Sequence, residues 1–244
     1  MKTQLRFKRL NLITVSGFLL LTFLFSACKK SLDAGSQPQI PVAGLMAFNL
    51  VPDRSAVAFT IGGNNLTNSG LSYTEYTGGY HGIYVGNRDV ISYDALSGTQ
   101  LATASHLFED SAYYSAFVVG ANGDYKNVIV KDSLNNLAST TGEAFVRYVN
   151  AIPDSTKQPL VTISSNGTDV FKDNASFPTV SNFKGITPGN ISVTVNDEAA
   201  INASRTITLE QGKIYTVLLV GVPQTTDSTK AVQIKFIQNG SVSR

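Results

Sequence analysis

The chain has 244 residues, of which 43% are hydrophobic and 15% charged, with no tryptophan and a single cysteine. That length admits two domains of ordinary size, and one cysteine excludes an internal disulfide. Four of the 19 Lys+Arg and none of the 17 Asp+Glu lie before residue 28, so the remainder carries 15 basic against 17 acidic side chains, a net of −2. The chain therefore lacks the excess of positive charge that nucleic-acid binding needs, and no nucleic-acid partner is expected.

Lys2, Arg6, Lys8 and Arg9 precede an apolar stretch, Leu10 to Phe25, that ends in Ser26-Ala27-Cys28. This is the layout of a secretory signal peptide over residues 1–27. The apolar stretch is shorter than the ~20 residues of a usual membrane span. A transmembrane anchor with an incidental cysteine is the competing reading. Phe25-Ser26-Ala27-Cys28 resembles the bacterial lipobox, with Phe25 where leucine is usual. That resemblance implies cleavage before Cys28 and its acylation, and hence a lipoprotein of the outer membrane in the cell envelope, facing the periplasm or the surface. Two or three acyl chains hold a protein on a bilayer durably, at about 0.8 kcal/mol per buried methylene. Residues 28–41 are polar with Gly and Pro and read as the lipid-anchored tether.

The rest reads as one unit written twice, over 42–134 and 142–241. Asn49-Leu50-Val51-Pro52-Asp53 returns as Asn150-Ala151-Ile152-Pro153-Asp154, and Tyr80-His81-Gly82-Ile83 as Phe183-Lys184-Gly185-Ile186. Gly86-Asn87 returns as Gly189-Asn190, Phe108-Glu109 with Tyr114 as Leu209-Glu210 with Tyr215, and Val119-Gly120 as Val220-Gly221. Matches in one order at nearly one offset mark a tandem duplication. Ile191, Val193 and Val195 alternate with polar residues, and Ile214, Thr216, Leu218 and Val220 share a face, as do Val232, Ile234 and Phe236. Such period-2 runs between Gly/Asn/Asp/Pro clusters are strands. About seven short strands per copy predict an all-β chain of two tandem immunoglobulin-like β-sandwich domains, with a partly open barrel as the alternative. In Asn-x-x-Pro-Asp the proline presets a turn and the aspartate accepts a backbone hydrogen bond, a structural role. A linker from Ser133 to Thr141, rich in Ser, Thr and Asn, predicts limited motion between the copies.

Arg-Tyr-Val-Asn-Ala-Ile-Pro-Asp (147–154), Gly-Ile-Thr-Pro-Gly-Asn (185–190) and Gln-Gly-Lys-Ile-Tyr-Thr-Val-Leu-Leu-Val-Gly (211–221) resemble domain-of-unknown-function family 4397. Its members are extracytoplasmic proteins, common among Bacteroidota lipoproteins. The resemblance is sharp in the second copy and diluted in the first, where Ser111 replaces Gly212. It implies fold and location and brings no catalytic residue. Asp110-Ser111-Ala112 and Asp132-Ser133-Leu134 resemble the short O-glycosylation sites of these bacteria, which marks Ser133 and Ser111 as candidate acceptors.

No His-Glu-x-x-His, Gly-x-Ser-x-Gly or phosphate loop occurs, and the two histidines, His81 and His106, lie in separate segments. His106 falls where the second copy has Ile207, which reads as a packed or edge histidine. No catalytic residue, metal, cofactor or enzymatic activity is expected. Eight of ten tyrosines lie in the first copy, and Tyr73, Tyr76, Tyr80 and Tyr84 cluster in a Gly-rich stretch. These four are the candidate ligand surface, because exposed tyrosines offer contact area at low entropic cost. Edge-strand or core packing is the alternative. The expected role is adhesion, assembly or scaffolding by a non-catalytic envelope lipoprotein with a protein or glycan partner. The competing role is a glycan-binding accessory protein of a polysaccharide-uptake system.

Overall fold

The computed structural model describes residues 39–134, 137, 142–198 and 200–242. The leader, Cys28, most of the tether and the interior of the linker lie outside them. Among the described residues no helix is long and apolar enough to cross a membrane. Pro41–Arg244 form one compact unit.

In the first copy the strands are β1 (Val42–Asn49), β2 (Ala56–Ile61), β3 (Asn64–Asn65), β4 (Leu71–Ser72), β5 (His81–Tyr84), β6 (Gly86–Asp94), β7 (Gln100–Phe108), β8 (Tyr113–Ala121) and β9 (Asp124–Asp132). The second copy repeats them as β10 (Ala144–Asn150), β11 (Leu160–Ser165), β12 (Thr168–Asn174), β13 (Thr179–Val180), β14 (Lys184–Ile186), β15 (Gly189–Asp197), β16 (Ile201–Leu209), β17 (Lys213–Val220) and β18 (Gln233–Ser241). The described residues are all-β, and each copy is a two-sheet sandwich. The first pairs a β5-β1-β8-β9 sheet with a β3-β2-β6-β7 sheet, and the second pairs β13-β10-β17-β18 with β12-β11-β15-β16. In each copy the first strand runs parallel to the penultimate one, with Leu45 opposite Tyr114 and Val146 opposite Tyr215. The register is the same in both copies. Two-residue strands raise the count above the seven expected from periodicity.

The repeated motifs have local physical causes. Asn49 accepts from Val51 N–H and donates to Leu71 O, and Asn150 does the same with Ile152 and Ala175. Tyr114 and Tyr215 each accept the backbone N–H five residues upstream, from Glu109 and Glu210, and so hold the turn before the central strand. Gly120 (φ +116°) and Gly221 (φ +108°) sit where a Cβ would run into the carbonyl oxygens of Asp124 and Ala231. Asp154 caps its own loop through Thr156, whereas Asp53 accepts from Asn122 N–H and Tyr125 Oη across the sheet end.

One core lies inside each sandwich. Val57, Phe59, Val90 and Phe108 belong to the first, and Val161, Ile163, Phe171 and Val193 to the second. A third apolar cluster joins the copies. Met46, Phe48, Leu50, Phe117 and Val119 meet Val149, Ala151, Leu218 and Val220. Phe48/Val149, Leu50/Ala151, Phe117/Leu218 and Val119/Val220 are equivalent positions, each pair 101 residues apart. The same face of each copy therefore packs against the other, as in the self-complementary interface of a two-fold dimer. Every residue of β10 is buried because one face of the strand meets its own sandwich and the other meets the neighbouring copy. This shared core replaces the interdomain motion that the linker's composition predicts.

Candidate functional site

Two features stand apart from plain packing. The first is a buried polar cluster in the seam between the copies. Arg147 is 1% exposed and Asp132 4%, and they form an ion pair through Nη1 and Oδ1. Charges in so dry a place persist only when paired and fully hydrogen-bonded. Arg147 Nη2 donates to Ser115 Oγ at 2.8 Å and Nε to Thr216 Oγ1 at 3.0 Å. Ser115 and Tyr80 hydroxyls each donate to Asp132 Oδ2 at 2.6 Å. The guanidinium lies 4.3 Å from the Phe183 ring centroid and 5.4 Å from that of Phe117. Burial, and then the Asp132 charge, push the Tyr80 phenol well above its ordinary range.

The cluster obeys the duplication. Arg147 stands where the first copy has Met46, and Thr216 stands where it has Ser115. Gln238 faces Tyr215 as Lys131 faces Tyr114, and Asn239, at a bulge, follows Gln238 as Asp132 follows Lys131. Thr216 donates to Asn239 Oδ1 at 2.7 Å, and Asn239 Nδ2 reaches the Met46 sulfur at 3.7 Å. Met46 thus meets Asn239 of the other copy as Arg147 meets Asp132. One half of the seam is neutral and the other is an ion pair.

The second feature is a cleft of about 400 Å³ at the edge of the first sandwich. Its apolar walls are Val42, Ile61, Leu66 and Ile83, and its polar groups are Asn64, Asn65, His81 and Arg88. Tyr84 stands at its rim, 58% exposed. Arg88 is held by Nε and Nη2 bonds to Val85 O at 3.3 and 3.1 Å. The floor at Gly82 is open, with nothing within 4 Å of where a Cβ would stand.

The second copy closes the equivalent place. There a Cβ on Gly185 would overlap the Glu143 carboxylate, and Lys184 lies 4.2 Å over the Phe171 ring and donates to Val170 O. The difference starts at the edge strand. β12 pairs with β11 along six residues, whereas β3 pairs with β2 along two.

The DUF4397 model, a domain of unknown function, matches residues 43–157 and again 144–238. The chain belongs to the DUF4397 family. No curated protein matches it. Among solved structures, the CBM26-family carbohydrate-binding module CBMbc of Amy13K from Eubacterium rectale, in complex with maltoheptaose, is similar at 9% identity and TM-score 0.25. The match covers 83% of this chain and 98% of that one. A candidate cell adhesion protein from Bacteroides eggerthii is similar at 10% identity and TM-score 0.21, covering 82% and 96%. Likenesses at those TM-scores carry no argument about what this DUF4397 chain binds.

The four tyrosines do not form one exposed surface. Tyr73, Tyr76 and Tyr80 are half-buried against the seam, where Tyr76 stacks on Phe48 at 5.6 Å. Burial pushes the Tyr73 phenol up to about 12. These rings pack against the apolar cluster between the copies, and Tyr84 is the most exposed of the four. Ser111 and Ser133 are both exposed, and the pairing of Tyr113 with Asp132 brings their segments side by side. His106 packs edge-on to Phe108 and Tyr114, and burial lowers its pKa below the ordinary 6.5. Cys28 lies outside the described residues. Among the described residues no group of three or more His, Cys, Asp or Glu side chains could hold a metal. Sequence reasoning missed Arg147, Asp132, Arg88 and the asparagine pair. The one available signal was Arg147 itself, a charge within the apolar run Ala144–Asn150 that requires a buried partner.

Proposed function

We propose that this DUF4397 chain is a non-catalytic cell-envelope lipoprotein, held by an acylated Cys28, whose two sandwiches serve adhesion or scaffolding as one body. The seam carries this reading. A shared apolar core and a buried ion pair suit a stiff projecting element better than two modules on a flexible string. A deletion strain complemented with the wild-type chain or with Cys28→Ser tests it. Wild type should restore surface attachment, while the Cys28→Ser protein, neither acylated nor cut before residue 28, should be missing from the outer membrane and restore none. Attachment that is unchanged by deletion contradicts the adhesive role.

The cleft beside Tyr84 favours a second reading, a glycan-binding accessory protein of a polysaccharide-uptake system. An aromatic rim with planar polar side chains behind it is the chemistry of sugar recognition. Ser133 and Ser111, on adjacent segments away from the cleft lining, are proposed O-glycan acceptors. Native peptides without added hexose at either serine would remove that assignment.

A further inference from the structure

We infer that the cleft of the first sandwich takes the acidic end of a saccharide, with the carboxylate of a uronic acid on Arg88 and the apolar sugar face on Tyr84. This rests on the glycan-binding reading. Arg88 is pre-set for the task, since Nε and Nη2 are fixed on Val85 O and its stem packs over Gly62. Among the described residues Nη1 makes no hydrogen bond, and Arg88 lines the cleft. A guanidinium whose geometry is already fixed loses little freedom on meeting a carboxylate.

No Asp or Glu lines the cleft. Asp110 accepts from Val42 N–H and is not part of the lining. In the second copy the matching place holds the Glu143 carboxylate, which would repel an anion. Asn64 and Asn65 are exposed in the short β3, and each offers a carbonyl acceptor and an NH₂ donor, the pairing that vicinal hydroxyls need. Tyr84 presents its ring beside them. The apolar walls Val42, Ile61, Leu66 and Ile83 exclude water from behind a bound pyranose and strengthen the charged contact.

Isothermal titration of the full chain in detergent with trigalacturonic acid and, separately, with maltoheptaose tests this. The acidic sugar should bind at least ten-fold more tightly than the neutral one. Tyr84→Ala, at an exposed position, should weaken it at least ten-fold with an unchanged melting temperature, and Arg88→Gln should abolish the preference for the acid. Leu96→Ala, exposed on a turn elsewhere, should change nothing. Equal affinity for both sugars overturns the acidic assignment and leaves glycan binding standing. Binding that survives Tyr84→Ala and Arg88→Gln overturns the cleft as the site. No binding of either sugar overturns the inference together with the reading beneath it.

Discussion

The two copies share strand order, parallel central pairing and turn chemistry, yet they treat one edge differently. The second lays β12 along β11 and closes the space with Lys184 and Glu143, while the first splits its edge into β3 and β4, paired with β2 over two residues each, and leaves an open cleft. They also treat the polar seam positions differently, with Met46 and Asp132 in the first and Arg147 and Asn239 in the second. Duplication makes such divergence cheap. In a dimer of identical subunits an arginine at this place would occur twice, whereas in a fused pair a single arginine can meet a single aspartate.

The comparison breaks first, if it breaks, at the seam. Phe117→Ala should cost about 3–5 kcal/mol and the equivalent Leu218→Ala about 2–5 kcal/mol. Each should lower the denaturation midpoint of the whole unit in one transition. Two separate transitions, with only one shifted, would mean that the copies unfold independently. Next come the matched glycines. Gly120→Ala and Gly221→Ala force a side chain into positive φ and against a carbonyl, so each should lose at least about 1–3 kcal/mol. A large effect in one copy and none in the other would show that the turns are not equivalent. Smaller still, Tyr114→Phe and Tyr215→Phe each remove one hydroxyl acceptor and should cost about 0.5–1.5 kcal/mol by urea titration.

The smallest effect concerns pH. His106 is held neutral by its packing between Phe108 and Tyr114, with its pKa below the ordinary 6.5. Above that value folded and unfolded chains are equally neutral there. As pH falls, the unfolded chain takes up the proton first, so stability is lost from about 6.5 downward through the folded pKa. His106→Ile installs the residue of the second copy, Ile207. It should shrink the drop in melting temperature between pH 7 and pH 5, and an unchanged drop would assign the pH response to other groups.

Much of the sandwich was legible because a strand half-exposed on each sheet declares itself by alternation, as Ile191, Val193 and Val195 do. The duplication was legible because its motifs are turn chemistry: Asn49 and Asn150, Tyr114 and Tyr215, Gly120 and Gly221 hold the same backbone atoms in both copies. The seam was not read. Its strands are buried on both faces, so burial does not alternate along β8, β10 and β17, and the period-2 face of Ile214, Thr216, Leu218 and Val220 says nothing of a second packed face. The tyrosine cluster divides in the fold for a related reason. Composition counts rings without direction, and only Tyr84 of the four points away from the shared core. The cleft depends on an edge strand broken into two short pieces, β3 and β4, which no single residue encodes.

The seam's ion pair offers the most direct test of the claim that the copies form one self-complementary body. Asp132→Asn and Arg147→Met each convert one side to the residue found at the equivalent position, and each leaves an unpaired buried charge. The single variants should each lose about 3–5 kcal/mol, while the double variant, which makes the seam neutral on both sides, should return to within about 1 kcal/mol of wild type. A double variant whose loss equals the sum of the singles would contradict the account.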